Sequence, residues 1–422
     1  MTKRALLIAF HFPPQAASSG IQRTLSFSRH LGKNGWEPLV LSAHPRAYPE
    51  QNPSQLASVP AGLVVKRAFA LDTKRDLGVR GRYLGPLALP DRWVWWWFAA
   101  VPAGLAMIRR HRPQVIWSTF PIATAHLIGL SLHRLTGLPW IADFRDPMLQ
   151  SAYPSYALQR KAYAWIERQT IRRCHKAVFT THSAMASYKA RFPELALDKC
   201  MVIENGYDED NFTVAGTLQT EAPRPAGQVT LVHSGLLYDT GRDPGAFFEA
   251  IARLKRAGTV DAGKLRVILR APGNEQAIAA AARRLGVDDI AEVVPAVPYR
   301  EALQEMLAAD GLLVFQGTPF NTQVPAKVYE YFRARRPILG LVDRTGETAR
   351  VLGAAGFDSI ATMDAPDEIA EVLERFLREV RDGSAHVASP DLVIRSSRAG
   401  RARQLAGLFD EAVGERVCME AA

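Results

Sequence analysis

Cysteine is nearly missing from these 422 residues. The three that occur, Cys174, Cys200 and Cys418, lie far apart, with no CxxC pair and no accompanying histidine cluster. That excludes a disulfide scaffold and a cysteine-based zinc site, and it implies reduced thiols in a cytoplasmic protein. Long apolar runs are missing too. The opening run Ala5–Phe10 is too short for a signal-peptide core, and prolines follow where a cleavage site would stand. The most hydrophobic stretch, "WVWWWFAAVPAGLAMI" from Trp93 to Ile108, falls short of the ~20 residues that cross a bilayer and contains Pro102. It reads either as a buried helix or as an aromatic segment resting at a membrane interface. The fingerprint GxGxxG is absent, which argues against a nicotinamide dehydrogenase. No short repeat or low-complexity tract is present.

What is there belongs to a soluble globular chain. Hydrophobic residues make up 48% and charged residues 22%, enough apolar side chains for more than one core at this length. The formal charge is +10, and the excess gathers in the first half. Arg160, Lys161, Arg168, Arg172, Arg173 and Lys176 face only Glu167 within their segment. Nucleic acid, an anionic membrane surface or a phosphorylated substrate would each suit this balance, as would mere solubility. No helix-turn-helix, zinc-finger or aromatic RNA-binding signature accompanies the charge, so a nucleic-acid partner is not expected.

Short aliphatic runs alternate with helical patterns, the mark of βα units and a parallel sheet. The first half predicts strands at Ala5–Phe10, Pro38–Ser42, Leu63–Phe69, Val115–Thr119, Trp140–Asp143, Ala177–Thr180 and Met201–Ile203. A polar, turn-rich stretch then reads as a linker. Alternation resumes at Val229–His233, Leu265–Arg270, Glu292–Val294, Gly311–Phe315, Pro337–Leu341 and Ser359–Thr362. The expected architecture is α/β, with two Rossmann-like domains facing a cleft: residues 1–206, a linker 207–228, residues 229–390, and a helical tail 391–422 packing back across them.

In such folds ligands bind in the loops that follow strands. The first loop, "FHFPPQAASSGIQR", brings Gly20 to the start of a helical pattern, where free N–H groups can meet an anion. It serves equally well as a plain turn. The corresponding loop of the second half, "HSGLLYDTGRDPGAF", sets Gly235, Gly241 and Arg242 ahead of a helix start near Asp243 and Pro244. A guanidinium beside a glycine-rich turn can pair with diphosphate oxygens, or can simply be solvated. In "NTQVPAKVYEYFRARRPILG", Pro325 fits a first helical turn with Asn321 or Thr322 as cap, and Val328, Tyr331 and Phe332 face the core. Lys327 and Glu330 share a face there. They form either an ordinary i,i+3 ion pair or a site in which Lys327 meets phosphate and Glu330 accepts from two ribose hydroxyls.

These segments, with "DFRDP" at Asp143–Pro147 and "NGYD" at Asn205–Asp208, occur in an order that resembles family 4 glycosyltransferases of the GT-B fold across essentially the whole chain. The resemblance implies retaining transfer of a sugar from a nucleotide-diphosphate donor to a glycan, lipid-linked or small-molecule acceptor, in bacterial polysaccharide or cell-envelope synthesis. It places Gly20 beside the donor phosphates, Arg242 and Lys327 on the diphosphate, and Glu330 on the ribose. Gly235 and the backbone of Asn321 and Thr322 complete the donor side, while Asp143, Arg145 and Asp146 stand on the acceptor side. The family commonly carries a glutamate seven residues before the position of Glu330, where this chain has Thr322, so the hold on the donor sugar differs.

Asp208-Glu209-Asp210 matches a metal-binding D-x-D but reads as a solvated acidic turn, so Arg242, Lys327 and a helix dipole are expected to serve in place of a cofactor or metal. Asp143, Arg145 and Asp146 either orient an acceptor or form a structural salt-bridge cluster. His11, His126 and His182 also lie near loops and are read as structural. Peripheral contact with an anionic membrane would suit the basic first half. The rival readings are a non-catalytic sugar- or nucleotide-binding protein, a nucleic-acid binder suggested by charge, and a sugar epimerase on the same fold.

Overall fold

Every predicted strand is present within two residues of its expected bounds. The computed structural model describes residues 3–16, 19–80, 82–145, 147–150, 153–194, 197–217 and 227–421. They form two units, one of residues 1–205 with 398–422 and the other of residues 206–397.

The first unit is built on a parallel sheet of β1 (Lys3–Ile8), β2 (Trp36–Ala43), β3 (Val64–Ala68), β4 (Val115–Thr119), β5 (Trp140–Arg145), β6 (Lys176–Phe179) and β7 (Cys200–Val202). Its spatial order is β3-β2-β1-β4-β5-β6-β7. Its central strands are near-continuous apolar runs because both faces are covered. In β1, Leu6 and Ile8 enter a core shared with the helices Trp95–His111, Ala123–Thr136 and Ala157–Arg173. Ala5 and Leu7 face the opposite core, the alternation that a pleated strand imposes.

That opposite core is closed by two helices, Ser19–His30 and Arg398–Ala421. Ala402, Leu405, Ala406, Phe409 and Ala412 form one buried stripe of the last helix. The Phe409 ring meets Trp36 edge-on at 5.2 Å. The tryptophan-rich stretch is helical from Trp95, with Trp96 fully buried and Trp97 donating to Ser131 Oγ at 3.0 Å. Phe98 alone of that group points well out, at 60% exposure. No helix among the described residues is long and apolar enough to cross a membrane.

The second unit carries β8 (Val229–Ser234), β9 (Leu265–Arg270), β10 (Ala291–Val294), β11 (Gly311–Gln316), β12 (Ile338–Val342) and β13 (Ile360–Thr362), all parallel, in the order β10-β9-β8-β11-β12-β13. Leu231, Leu313, Leu339 and Leu341 face one core, while Val232, Leu312, Val314, Ile338 and Val342 face the other. Strand order therefore reverses beside β1 and β4 in the first unit, and beside β8 and β11 in the second. At such points the loops leaving adjacent strands diverge and open a crevice at the carboxyl ends.

The stretch read as a linker holds more structure than its polar composition suggested. Glu209–Thr217 is a helix whose Phe212 and Ala215 are buried with Leu303 and Met306. The acidic turn is the start of that helix. The Asp210 amide donates to Asp208 Oδ1 at 3.3 Å, and Glu209 pairs with Arg333. Asp208 itself is buried, so the expectation of a solvated turn is corrected. Its carboxylate serves the free N–H groups of a helix end.

Candidate active site

The crevice of the second unit is lined by the loops after β8 and β11, and glycines let them meet. Gly241 has a left-handed φ of 78°, and a side chain there would run into Pro319 and Phe320. The Gly317 amide donates to Gly241 O at 2.7 Å, and a Cβ on Gly317 would stand 3.2 Å from that carbonyl oxygen. Gly235, with φ 111°, leaves room that Lys327 Nζ occupies, 3.2 Å from where a Cβ would sit. The helix that follows runs Gly245–Arg256, and Asp243 accepts from its first amide at 3.0 Å, as the sequence pattern implied.

Four side chains converge here. Arg242 donates through Nε to Gln316 Oε1 at 2.9 Å, and its guanidinium lies over the Tyr238 and Phe320 rings at 5.3 and 4.8 Å. Its terminal nitrogens make no hydrogen bond among the described residues. Lys327 opens the helix Lys327–Ala334, and its Nζ is 3.1 Å from His233 Nε2. Burial, and then the charge of Arg242, push the Lys327 ammonium down to about 7, against the pull of Glu330.

His233 is the penultimate residue of β8, buried, with Nδ1 3.0 Å from Leu313 O. Burial first, then Lys327 and Arg242, hold its imidazole neutral. Nε2 lies 3.1 Å from both Lys327 Nζ and Gly235 O, so it accepts from the Lys327 ammonium when the proton is on Nδ1 and donates to Gly235 O when the proton is on Nε2.

Glu330 is buried one turn along the same helix and accepts from Tyr299 Oη at 2.6 Å. Lys327 and Glu330 thus engage different partners, and the ordinary i,i+3 ion pair is not formed. Val328, Tyr331 and Phe332 are buried, as their spacing predicted. The helix start differs from expectation. Ala326 occupies the cap position without any side-chain bond. The Asn321 side chain instead donates to Asp343 Oδ2 at 2.9 Å, and Asp343 also accepts from Thr318 and Thr345. Those bonds hold the Asp343 carboxyl well below its ordinary range. Asn321 therefore braces the loop after β11 against the loop after β12, and Thr322 stands half-buried beside it.

The predicted acceptor-side residues of the first unit divide. Asp143 has no exposed surface. It takes a two-pronged bond from Arg23 at 2.8 and 2.9 Å and another from Thr119 Oγ1 at 2.9 Å. Arg23 also donates to Ile203 O and Glu204 O, so the pair ties β5 to the end of β7. For Asp143 the salt-bridge reading is the one the geometry supports. Arg145 sits at a register shift in β5 with a left-handed φ of 54° and is buried. Beside it, burial and then Arg145 push the His11 imidazole down to about 3. Asp146 lies outside the described residues. Gly20 is buried in the first turn of Ser19–His30, not in a loop before it. His126 is a core residue, its Nδ1 2.8 Å from Ser118 Oγ.

Sequence reasoning missed His233, Gln316 and Tyr299. A polar residue closing the apolar run "VTLVHS" just before Gly235 was the available signal for His233, and the glutamine that closes "GLLVFQG" was the same signal for Gln316. Nothing local marks Tyr299. Among the described residues no group of three or more His, Cys, Asp or Glu is placed to hold a metal ion.

Residues 19–206 match the Glycosyl transferase 4-like domain family. No curated protein sequence matches the chain. Among solved structures, a UDP-forming α,α-trehalose-phosphate synthase from Burkholderia xenovorans superposes with a TM-score of 0.64 at 13% identity, covering 98% of this chain and 99% of that one. A sucrose-phosphate synthase from Thermosynechococcus elongatus gives 0.60 at 12%, covering 99% and 98%. A putative UDP-N-acetylglucosamine 2-epimerase from Listeria monocytogenes gives 0.60 at 12%, covering 98% of each. At these identities the likeness shows the fold, which is GT-B. The matched domain, residues 19–206, is a glycosyltransferase domain.

Proposed function

We propose that the second unit binds a nucleotide-diphosphate sugar and that the chain transfers its sugar, with retention, to a hydroxyl acceptor in cell-envelope or polysaccharide synthesis. The observation that carries this reading is the convergence of Arg242, Lys327 and Glu330 at the strand reversal between β8 and β11. Two cations a loop apart suit a diphosphate, and a buried carboxylate one helical turn from Lys327 suits the paired hydroxyls of a ribose. Gly235 allows the donor to approach the backbone, and the uncapped amides before Lys327 add positive potential.

Breaking the anomeric C–O bond leaves negative charge on the departing diphosphate. Arg242 and Lys327 are positioned to neutralise it, worth more in a crevice than in water. Lys327 near neutrality regains its full charge when the diphosphate arrives. The acceptor proton passes to the departing phosphate oxygen as the new C–O bond forms on the same face, so this scheme requires no side-chain base and no metal. An epimerase shares the fold, but the glycosyltransferase domain in the first half favours transfer.

The first unit supplies the acceptor and a membrane contact in this scheme, on the cytoplasmic side. On the helix Ala157–Arg173, Leu158 and Trp165 are 43% and 52% exposed among Arg160, Lys161, Arg168, Arg172 and Arg173. An apolar ridge set in a basic helix suits an anionic surface. Flotation with anionic vesicles at low salt should retain the wild type and lose Trp165→Glu. Equal recovery of both would end the membrane reading.

Calorimetry with UDP, GDP, ADP and dTDP, without metal, tests the donor site. One nucleotide should bind the wild type, and Glu330→Ala should weaken it roughly ten- to hundred-fold, the loss of a hydrogen bond to a charged group. Failure of all four nucleotides to bind folded protein would leave a non-catalytic role.

A further inference from the structure

The first unit contains a cavity of about 580 Å³ that no part of the donor site explains. That is within the range of small-molecule sites, ~300–1,000 Å³, and is larger than a single pyranose ring requires. Pro121 and Ile122, which line it, directly follow β4, at the carboxyl-end crevice where the strand order of this sheet reverses. Five of its twelve lining residues are aromatic: Tyr83, Trp93, Tyr153, Tyr156 and Tyr163.

These walls are pre-formed where they are deepest. Trp93 donates its indole N–H to Ala47 O at 3.2 Å and packs 4.8 Å from Phe10. Tyr163 is buried, its hydroxyl 3.3 Å from that of Tyr153. At the mouth, Tyr83 and Tyr156 are 40% and 47% exposed.

The charged groups that border the cavity are engaged by the protein itself, save for Arg92 Nε, which is buried without a hydrogen-bond partner among the described residues. Arg92 pairs with Asp72 at 2.7 Å and stacks on Trp93 at 4.6 Å. Asp91 accepts from the Thr124 amide and hydroxyl and from the Trp93 amide, at 2.8 to 3.0 Å. Gln159 donates to Pro90 O at 3.0 Å, which leaves its carbonyl oxygen for a ligand. The lining therefore offers flat aromatic faces, tyrosine hydroxyls and an amide oxygen, with no spare charge.

We infer that this cavity binds an uncharged saccharide, the acceptor of the transfer, which rests on the reading given under Proposed function. A pyranose presents an apolar C–H face to an aromatic ring and a rim of hydroxyls to polar groups, as Tyr and Trp require when half-buried. A polyprenyl chain would cover the tyrosine hydroxyls without pairing them, and each such loss is costly. A sugar phosphate would bring a second anion to a guanidinium whose charge Asp72 already balances. The residues above hold the acceptor ring and set its orientation, and none reacts.

Saturation-transfer NMR with maltose, cellobiose and lactose tests this, with glucose 6-phosphate and geranyl phosphate as the charged and isoprenoid alternatives. At least one neutral disaccharide should receive saturation, and Tyr156→Ala should weaken it roughly ten-fold, with Tyr156→Phe between the two. UDP titration of the same samples reports folding and the donor site separately. Saturation confined to glucose 6-phosphate or geranyl phosphate, none at all, or neutral binding unchanged by Tyr156→Ala would overturn the proposal whether or not UDP binds. Disaccharide binding lost in Tyr156→Ala, in a protein that binds no nucleotide, would sustain the saccharide site and overturn the donor reading.

Discussion

At Lys327 the surroundings and the proposed ligand pull in opposite directions. Burial and the charge of Arg242 push the ammonium down to about 7, and a bound diphosphate, being anionic, must raise that value. Binding therefore takes up a proton above pH 7, and affinity should fall as pH rises through and beyond 7, by up to about ten-fold per unit. Calorimetry in buffers of different ionisation enthalpy reads the proton directly, and Lys327→Met should bind weakly and without that pH dependence. Asp143 makes the opposite kind of prediction. Removing one partner of a buried ion pair strands the other, so Asp143→Ala should cost about 3–5 kcal/mol in urea denaturation. The combined change Arg23→Met with Asp143→Leu should recover most of it. A large loss of turnover in a variant of undiminished stability would return Asp143 to the acceptor side.

Among the elements, the helix Arg398–Ala421 is the one whose removal has the clearest cost. Phe409 is fully buried against Trp36, and Phe409→Ala should destabilise the first unit by about 3–5 kcal/mol, read as a lower urea midpoint. The strands were the most legible elements. Parallel strands covered on both faces are rich in buried aliphatic residues, so Val115–Thr119 and Leu265–Arg270 could be bounded to the residue. Glu209–Thr217 escaped because its buried stripe is short and its flanks are rich in turn residues. Polar side chains just after strands were also legible, Arg242 on the loop after β8 and Lys327 and Glu330 on the helix that follows β11. Their partners were not. Tyr299 meets Glu330 across 31 residues and Arg23 meets Asp143 across 120, and no spacing rule spans such distances. The cavity was invisible for the same reason, since its tyrosines come from two separate stretches that only the fold joins.

On the scale of the molecule, the two units differ in how the chain supplies them. Residues 206–397 are one continuous segment with its own sheet and two cores. Expressed alone, that segment should fold cooperatively and bind the same nucleotide as the full chain, by calorimetry. Residues 1–205 alone should not, because the face of the sheet carrying Leu7, Val40 and Trp117 would stand open without the stripe from Ala402 to Ala412. A sharp, reversible melt of residues 1–205 would show that reasoning to be wrong. The order of synthesis gives the returning helix a further consequence. A ribosome adds roughly 5–20 residues each second, so about ten to forty seconds separate the emergence of β7 from that of the helix that closes its sheet. The unit made first is finished last, and the nascent chain carries an uncovered apolar face through that interval, a substrate for chaperones that the completed protein no longer offers.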